Sequence, residues 1–411
     1  MPWLRSEAHR RWLESETDAL LAFGAASAVE HGFGWLDADG AVDPSKDLEL
    51  WINCRMTHVF ALGSLMGRPE YGPLADHGIR ALTTVFRDAK NGGYVSAVGH
   101  DGRPTDTSKQ CYAHAFVVLA AASGVEAGRE GARELLDDAL DVLASRFFEP
   151  EHGMHAEGFD RAFGVSEPYR GINANMHAVE ALLAASAATG DVSLLHRATG
   201  IIKRALGFAR AQAWRLPEHF SPAWQALPDY NREDPAHPFR PFGATIGHWF
   251  EWARLALHAR AGLAAHGIEP PKLLLTGALG LMNAGADAWG ADGHPGFVYT
   301  VDFEGTPVVA ERMHWVIAEA TGAASATWAA TGDPRWAALY QQWWEYAARF
   351  LRDLERGSWH HELDAEHRPS TSVWAGKPDI YHAVQTTLIP RLPLWPPLAG
   401  ALRAGMLDSV R

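Results

Sequence analysis

The stretch HAVEALLAASAATGD, His177–Asp191, decides how this chain is read, because it returns as EATGAASATWAATGD at Glu319–Asp333. Both copies carry a face of small apolar residues and close on the same ATGD. Gly after such a run ends a helix, since it takes the left-handed cap position without strain, and the Asp that follows opens the next helix. The first residues of the two copies, His177 and Glu319, each stand twelve residues before the Thr of the ending. That position serves as a ruler for further copies.

Four more helices fit it: HVFALGSLMG from His58, HAFVVLAAASG from His114, EWARLALHARAG from Glu251 and HAVQTTLI from His382. The six markers lie 56 to 74 residues apart. Residues 72–87, 130–147, 192–212, 272–288 and 334–353 between them carry apolar side chains at helical spacing with charged opposite faces. Residues 7–28 supply one more outer helix. Turns at Asp39-Gly40, Asp101-Gly102 and Glu304-Gly305 between β-prone runs predict short hairpins before most marker helices, and a long Pro-rich loop, Leu216–Phe242, precedes Glu251. No Gly/Ser or charge-run linker divides the chain. The expectation is an all-α fold: one (α/α)6-barrel domain over residues 1–411, of twelve helices, with the short β-hairpins on one face.

Composition narrows the function. In 411 residues, 17 Trp, 17 Phe and 9 Tyr demand a packed core and exclude a disordered chain. The longest nearly apolar stretch, Ala113–Val125, falls short of the ~20 residues a bilayer requires, so no membrane span is expected. A net charge of -13 repels nucleic acid and anionic lipid. The opening MPWLRSEAHRRWLESE has no apolar export signal, and two cysteines, Cys54 and Cys111, cannot build a disulfide framework. A cytoplasmic location is expected.

In a ring of repeated inner helices, equivalent positions lie at one height around one axis. His58, His114, His177, Glu251, Glu319 and His382 are therefore expected to converge on one cavity, with Arg55, Asn173, His248 and Trp315 one turn earlier and Tyr112 close by. Any one of these His is more plainly a satisfied core group, and His58 and His114 sit among apolar neighbours that assign them no role. Trp51, Phe116, Trp249, Trp252, Trp315, Trp359, Trp374 and Tyr381 belong to the same level, and aromatic faces beside polar groups suit a sugar, although many of them also serve to fill a core.

Dinucleotide, P-loop and serine-hydrolase motifs are absent, and HHELDAEH (His360–His367) fails as a zinc motif because Ala365 stands where the second His belongs. No metal or other cofactor is expected. His248 and His382, with Glu251 and Glu319 to orient them, suit a reaction that takes a proton from one carbon and returns it to its neighbour. Glu251 and Glu319 also permit a two-carboxylate glycosidase reading.

The stretches ELWINCRMTHVFAL, RGINANMHAVEALLAA, PFGATIGHWFEWARL, RMHWVIAEA and KPDIYHAVQTTLIPRLPL resemble the N-acylglucosamine 2-epimerase superfamily, in its branch of mannose and sulfoquinovose isomerases. The resemblance implies an (α/α)6 barrel and a metal-free aldose-ketose isomerisation through ring opening and a cis-enediolate. It assigns His382 as the base that moves a proton from C2 to C1, and His248 to ring opening and the O1/O5 side. It matches Arg55, Tyr112, Asn173, His177, Glu251 and Glu319 to residues that hold the sugar hydroxyls, and Trp315, placed at the same level by its helix face, completes the expected substrate-binding set. Where sulfo-sugar isomerases carry Arg, Gln and Gln, this chain has Pro238, His361 and Pro378, so a neutral hexose is favoured. The expected reaction is D-mannose to D-fructose, with D-lyxose to D-xylulose beside it; sulfoquinovose isomerisation and sugar 2-epimerisation are the alternatives. The expected partner is a monosaccharide, and no oligomeric state is legible.

Overall fold

In the computed structural model, which describes residues 2–409, the repeated ATGD endings become helix boundaries. Gly190 and Gly332 take left-handed φ values of 76° and 72°. The next helices start where Asp191 accepts the Ser193 N–H at 2.8 Å and Asp333 the Arg335 N–H at 2.9 Å. Outer and inner helices alternate: α1 (Glu7–Gly24), α2 (Leu50–Leu65), α3 (Gly72–Thr84), α4 (Cys111–Glu126), α5 (Ala132–Val142), α6 (Ile172–Thr189), α7 (Val192–Ala211), α8 (Ile246–Ala265), α9 (Lys272–Asp287), α10 (His314–Thr331), α11 (Pro334–Tyr346) and α12 (Tyr381–Leu388). The even-numbered helices contact one another in sequence and α12 returns to α2, which closes the ring of an (α/α)6 barrel.

Burial separates the two layers. Inner helix α8 is buried without a break from Ile246 to Ala259, its polar His248, Glu251, Arg254 and His258 included, because neighbours pack on every side of it. Outer helix α5 buries Leu135, Leu136, Ala139 and Val142 and exposes Arg133, Glu134, Asp137 and Asp141. Helices α5 and α11 end as α-helix earlier than their apolar pattern suggests; each continues as a single π-helical turn, Leu143–Phe147 and Ala347–Leu351. A short thirteenth helix, α13 (Leu398–Arg403), was not anticipated and packs against α2, α4 and α6. Among the described residues no helix is long and apolar enough to cross a membrane.

The short strands do more than form hairpins. Asp101-Gly102 and Glu304-Gly305 do lie in local turns. The two-residue strand before each of α2, α4, α6, α8 and α10, however, pairs with a strand of the following loop. Next to each pairing, the first N–H of the helix donates to a loop carbonyl: Leu50 to Ser96, Cys111 to Glu157, Ile172 to Glu218, Ile246 to Tyr299 and His314 to His361. A helix start leaves its first N–H groups without intrahelical acceptors. Here one of them is satisfied by the neighbouring loop, which sets the helix tops at a common height.

Candidate active site

Three levels of side chains follow from that common height. Rim residues Glu218, Tyr299 and His361 supply the carbonyls just described. One residue into the helices stand Trp51, Tyr112, Asn173, Trp315 and His382, and one turn deeper stand Arg55, Phe116, His177, Glu251 and Glu319. A cavity of about 660 Å³ opens between them, lined by Trp51, Arg55, Tyr112, Asn173, His177, His248, Glu251, Trp315 and His382 together with Tyr299, His314, His361, Asp379 and the loop residues Pro238, Phe239, Trp374 and Pro378.

The expectation that all six markers share one level is corrected. His177, Glu251 and Glu319 do, and His382 stands one turn above them. His58 lies three residues below Arg55 and bonds Ser123 Oγ at 2.7 Å, away from the cavity. His114 accepts the Tyr94 N–H at 3.1 Å and bonds the Gln110 carbonyl at 2.8 Å, so it braces a loop. The ruler was tied to helix C-termini, whereas the inner helices run from 8 to 20 residues and are aligned at their N-termini. Of the aromatic set, Trp51, Trp315 and Trp374 line the cavity, while Trp249, Trp252 and Trp359 are buried in the core.

Two imidazoles face the cavity with one nitrogen already committed. His248 Nδ1 lies 2.8 Å from Glu218 Oε2, and the other oxygen of Glu218 accepts the Thr245 N–H at 3.2 Å. His382 Nδ1 lies 3.0 Å from Glu319 Oε1. An ionised carboxylate can only accept, so against one each Nδ1 donates, and in a neutral ring so held Nε2 carries the lone pair. The indole of Trp315 stands between them, with ring centroids 5.1 Å from His248 and 5.7 Å from His382. Gly247 makes room for it, since a Cβ there would lie 2.2 Å from the indole. Burial first, then the Arg55 charge, pushes His382 well below the usual imidazole range, so it is neutral near pH 7.

Beneath them, Arg55 is held in a cage. It donates to Asp379 at 3.0 Å and to the Tyr112 hydroxyl at 2.8 Å, with the rings of Phe116, Tyr381 and Trp51 within 5.0 Å of its guanidinium. Burial opposes its charge, but Tyr112 and Asp379 outweigh that and the pKa is raised. Glu251 behaves oppositely: burial, then Glu319, drives its carboxyl well above the usual range, and its Oε2 is buried without a partner. A protonated Glu251 can donate to a substrate oxygen. Asn173 Oδ1 is likewise buried without a partner. His177 is pushed down to about 4 by burial and approaches Glu180 at 3.4 Å.

Glu319 does not line the cavity; both of its oxygens are taken, by His382 and by Arg254 at 3.0 Å. Ligand atoms of His177, Glu180 and Glu251 come within 4.8 Å of one another, a spacing that could hold a metal ion. Yet Glu180 already accepts from Tyr381 and Gln385, and Arg254 approaches Glu251 at 3.5 Å. Sequence reasoning missed Glu218, Asp379, His314, Tyr299, Phe239 and Arg254. The Pro-rich loop that distinguishes this repeat was a signal for Glu218 and Phe239, and the spacing of Asp379 three residues before His382 was one for Asp379.

The sequence pattern of the N-acylglucosamine 2-epimerase family matches residues 32–386. The chain is 50% identical to a D-mannose isomerase of Thermobifida fusca, over 97% of this chain and 98% of that one. It is 46% identical to a D-mannose isomerase of Pseudomonas cannabina pv. alisalensis, over 97% of each. Among solved structures, a D-mannose isomerase superposes with a TM-score of 0.86 at 28% identity, covering 95% of this chain and 99% of that one. A cellobiose 2-epimerase of Spirochaeta thermophila shares the fold, with a TM-score of 0.81 at 22% identity over 93% and 95% of the two chains. From its pattern, its relatives and its barrel alike, the chain belongs to the N-acylglucosamine 2-epimerase family.

Proposed function

We propose that this enzyme is an aldose-ketose isomerase that interconverts D-mannose and D-fructose, and D-lyxose and D-xylulose beside it, by proton transfer through a cis-enediolate. The observation that carries the reading is the pair of imidazoles, His248 and His382, each tied at Nδ1 to a carboxylate and each presenting Nε2 to one cavity. Identity to the two D-mannose isomerases over nearly the whole chain supports the substrate.

Ring opening requires a proton to leave O1 and one to reach O5, which His248 serves as both acceptor and donor. His382 Nε2 then takes the C2 proton of the open aldose, and the charge passes to the enediolate oxygens. Arg55, fixed by Asp379, and the protonated Glu251 stand where that oxygen charge is stabilised. His382 returns the proton to C1 while the O2 proton passes to O1, on the side His248 serves, which gives the ketose without net proton change. Tyr112, Asn173, His177 and Trp315 hold the hydroxyls and the C–H face of the sugar. No metal or cofactor enters this scheme.

A neutral hexose fits the wall better than a sulfo-sugar. Arg55 is the one arginine among the lining residues and is already paired with Asp379, while Pro238 and Pro378 bring no donors. The proposal places the enzyme in the cytoplasm, where its two free, buried cysteines stay reduced. Incubation with D-mannose, lyxose, glucose, cellobiose and sulfoquinovose tests the reading: fructose from mannose is expected, and glucose as the product, or turnover of sulfoquinovose alone, would overturn it.

A further inference from the structure

The two His–carboxylate pairs are not built alike. Glu218 is steadied by a backbone N–H, whereas Glu319 is steadied by a guanidinium. Arg254 lies on α8, one turn below Glu251, and is 3% exposed. Its Nε and Nη2 reach the same oxygen of Glu319 at 3.0 and 2.9 Å, and its Nη2 reaches Glu251 at 3.5 Å. Among the described residues it is the cation these two carboxyls share, and no part of it touches the reacting atoms.

We infer that Arg254 is a positioning residue: by keeping Glu319 an acceptor on both oxygens, it fixes the His382 hydrogen on Nδ1 and leaves Nε2 free to take a proton. This rests on the reading of His382 as the base.

A guanidinium has only donors, so the Glu319 oxygen that faces it must accept. Burial pushes the Glu319 carboxyl up, Arg254 pulls it back and Glu180 adds to the upward push, which leaves it raised, though less than Glu251. Glu251 has the longer contact to Arg254 and the higher shift, so the proton that the crowded carboxyls retain resides there. Glu180 is served separately, by Tyr381, Gln385 and His177. Without Arg254, Glu319 is a buried carboxyl among carboxyls and becomes protonated. Its O–H then donates to His382 Nδ1, the ring hydrogen moves to Nε2, and the nitrogen that faces the sugar can no longer act as a base. The ring would keep its place and lose its function.

The test joins ¹⁵N NMR of the imidazoles with kinetics on the full-length enzyme, the His382 signals being assigned by difference from His382→Asn. In the native protein His382 is expected protonated at Nδ1 and bare at Nε2. Arg254→Gln should move the hydrogen to Nε2 and lower kcat about 10²-fold, the scale of a lost general base, while KM changes by less than about threefold. Arg254→Lys should restore the native tautomer and most of the rate, which a purely structural role for the guanidinium fork would not produce. An unchanged tautomer with full kcat in Arg254→Gln overturns the inference. If that variant does not fold, an Nε2–H tautomer in the native protein overturns it equally. A tautomer shift in a protein that makes no ketose from mannose would uphold Arg254 and overturn the isomerase reading.

Discussion

The barrel axis holds two chambers. Above the level of His177 lies the cavity of about 660 Å³; below it lies a chamber of about 510 Å³ walled by His58, His258, Glu180, Arg254 and Gln385 and covered by Pro397–Gly400. Both contain buried imidazoles beside buried carboxyls. In the lower one His58 bonds Ser123 and Gln385, Glu180 is filled by Tyr381 and Gln385, and Leu119, Leu183, Leu255 and Leu398 complete the wall. In the upper one His248 and His382 each spend a single nitrogen on a carboxylate, and aromatic faces surround the space. What distinguishes an acid/base site from a polar core, in this molecule, is an imidazole pinned at Nδ1 to a carboxylate with its ring lining an open cavity; His258, whose Nε2 is also unspent, has no such carboxylate and is walled in by the core.

The comparison can be broken most sharply at His382. His382→Ala should lower kcat on mannose about 10²- to 10⁴-fold, the range of a lost general base, while sugar binding followed by Trp fluorescence persists; full activity would dissolve the distinction between the chambers. Glu218→Gln comes next. It frees His248 Nδ1 to take either tautomer, and a fall of about 10- to 100-fold in kcat is expected; an unchanged rate would show that the carboxylate pin is unnecessary at that ring.

Acid should act on stability through buried imidazoles, some in the two chambers and some elsewhere in the core. His9, His58, His114, His155, His177, His258 and His314 are all held down at about 3 to 4 by burial. The unfolded chain binds their protons from about pH 6.5 downward and the folded chain does not, so stability present above that pH is lost as pH falls toward about 4. Glu49 and Glu157, pushed up to about 7 chiefly by burial, act in the opposite sense, as do the raised Glu251 and Glu319; the lowered imidazoles, which also include His361 and His382, outnumber them. A melting temperature that rises on acidification from pH 6.5 to 4 would contradict this balance.

The smallest effect is expected in the lower chamber. His258 Nε2 is buried without a partner, so His258→Leu removes a desolvated polar atom and no hydrogen bond to that nitrogen. Activity within about twofold of native and an unchanged or raised melting temperature are expected. A large loss of kcat would make the lower chamber part of the catalytic apparatus.

Much of this architecture was legible because its signals are local. Gly190 and Gly332 end helices and Asp191 and Asp333 start them through contacts within a few residues, and α7 and α11 follow from those marks. Height along the barrel axis was not legible in this way. It is set by bonds such as Cys111 N–H to the Glu157 carbonyl, which join neighbouring loops, and so His58 and His114 were given a level they do not occupy. The same cause hid Glu218: its place beside His248 depends on the strand pairing of Gly171 with His219. His248 and His382 themselves were reached through family resemblance, since among 21 His nothing in their local sequence marks an unspent nitrogen. Arg254 was invisible for a related reason, because a lone Arg on an inner helix gains meaning only from the carboxylates of another helix.

Proton transfer by an imidazole inside the upper cavity is tested most directly by isomerising unlabelled D-mannose in deuterium oxide. A proton held on His382 Nε2 exchanges with solvent during some turnovers, so the account predicts fructose carrying deuterium at C1, and none of this labelling in His382→Ala. Fructose formed at the native rate without solvent deuterium at C1 would indicate a hydride shift and contradict it.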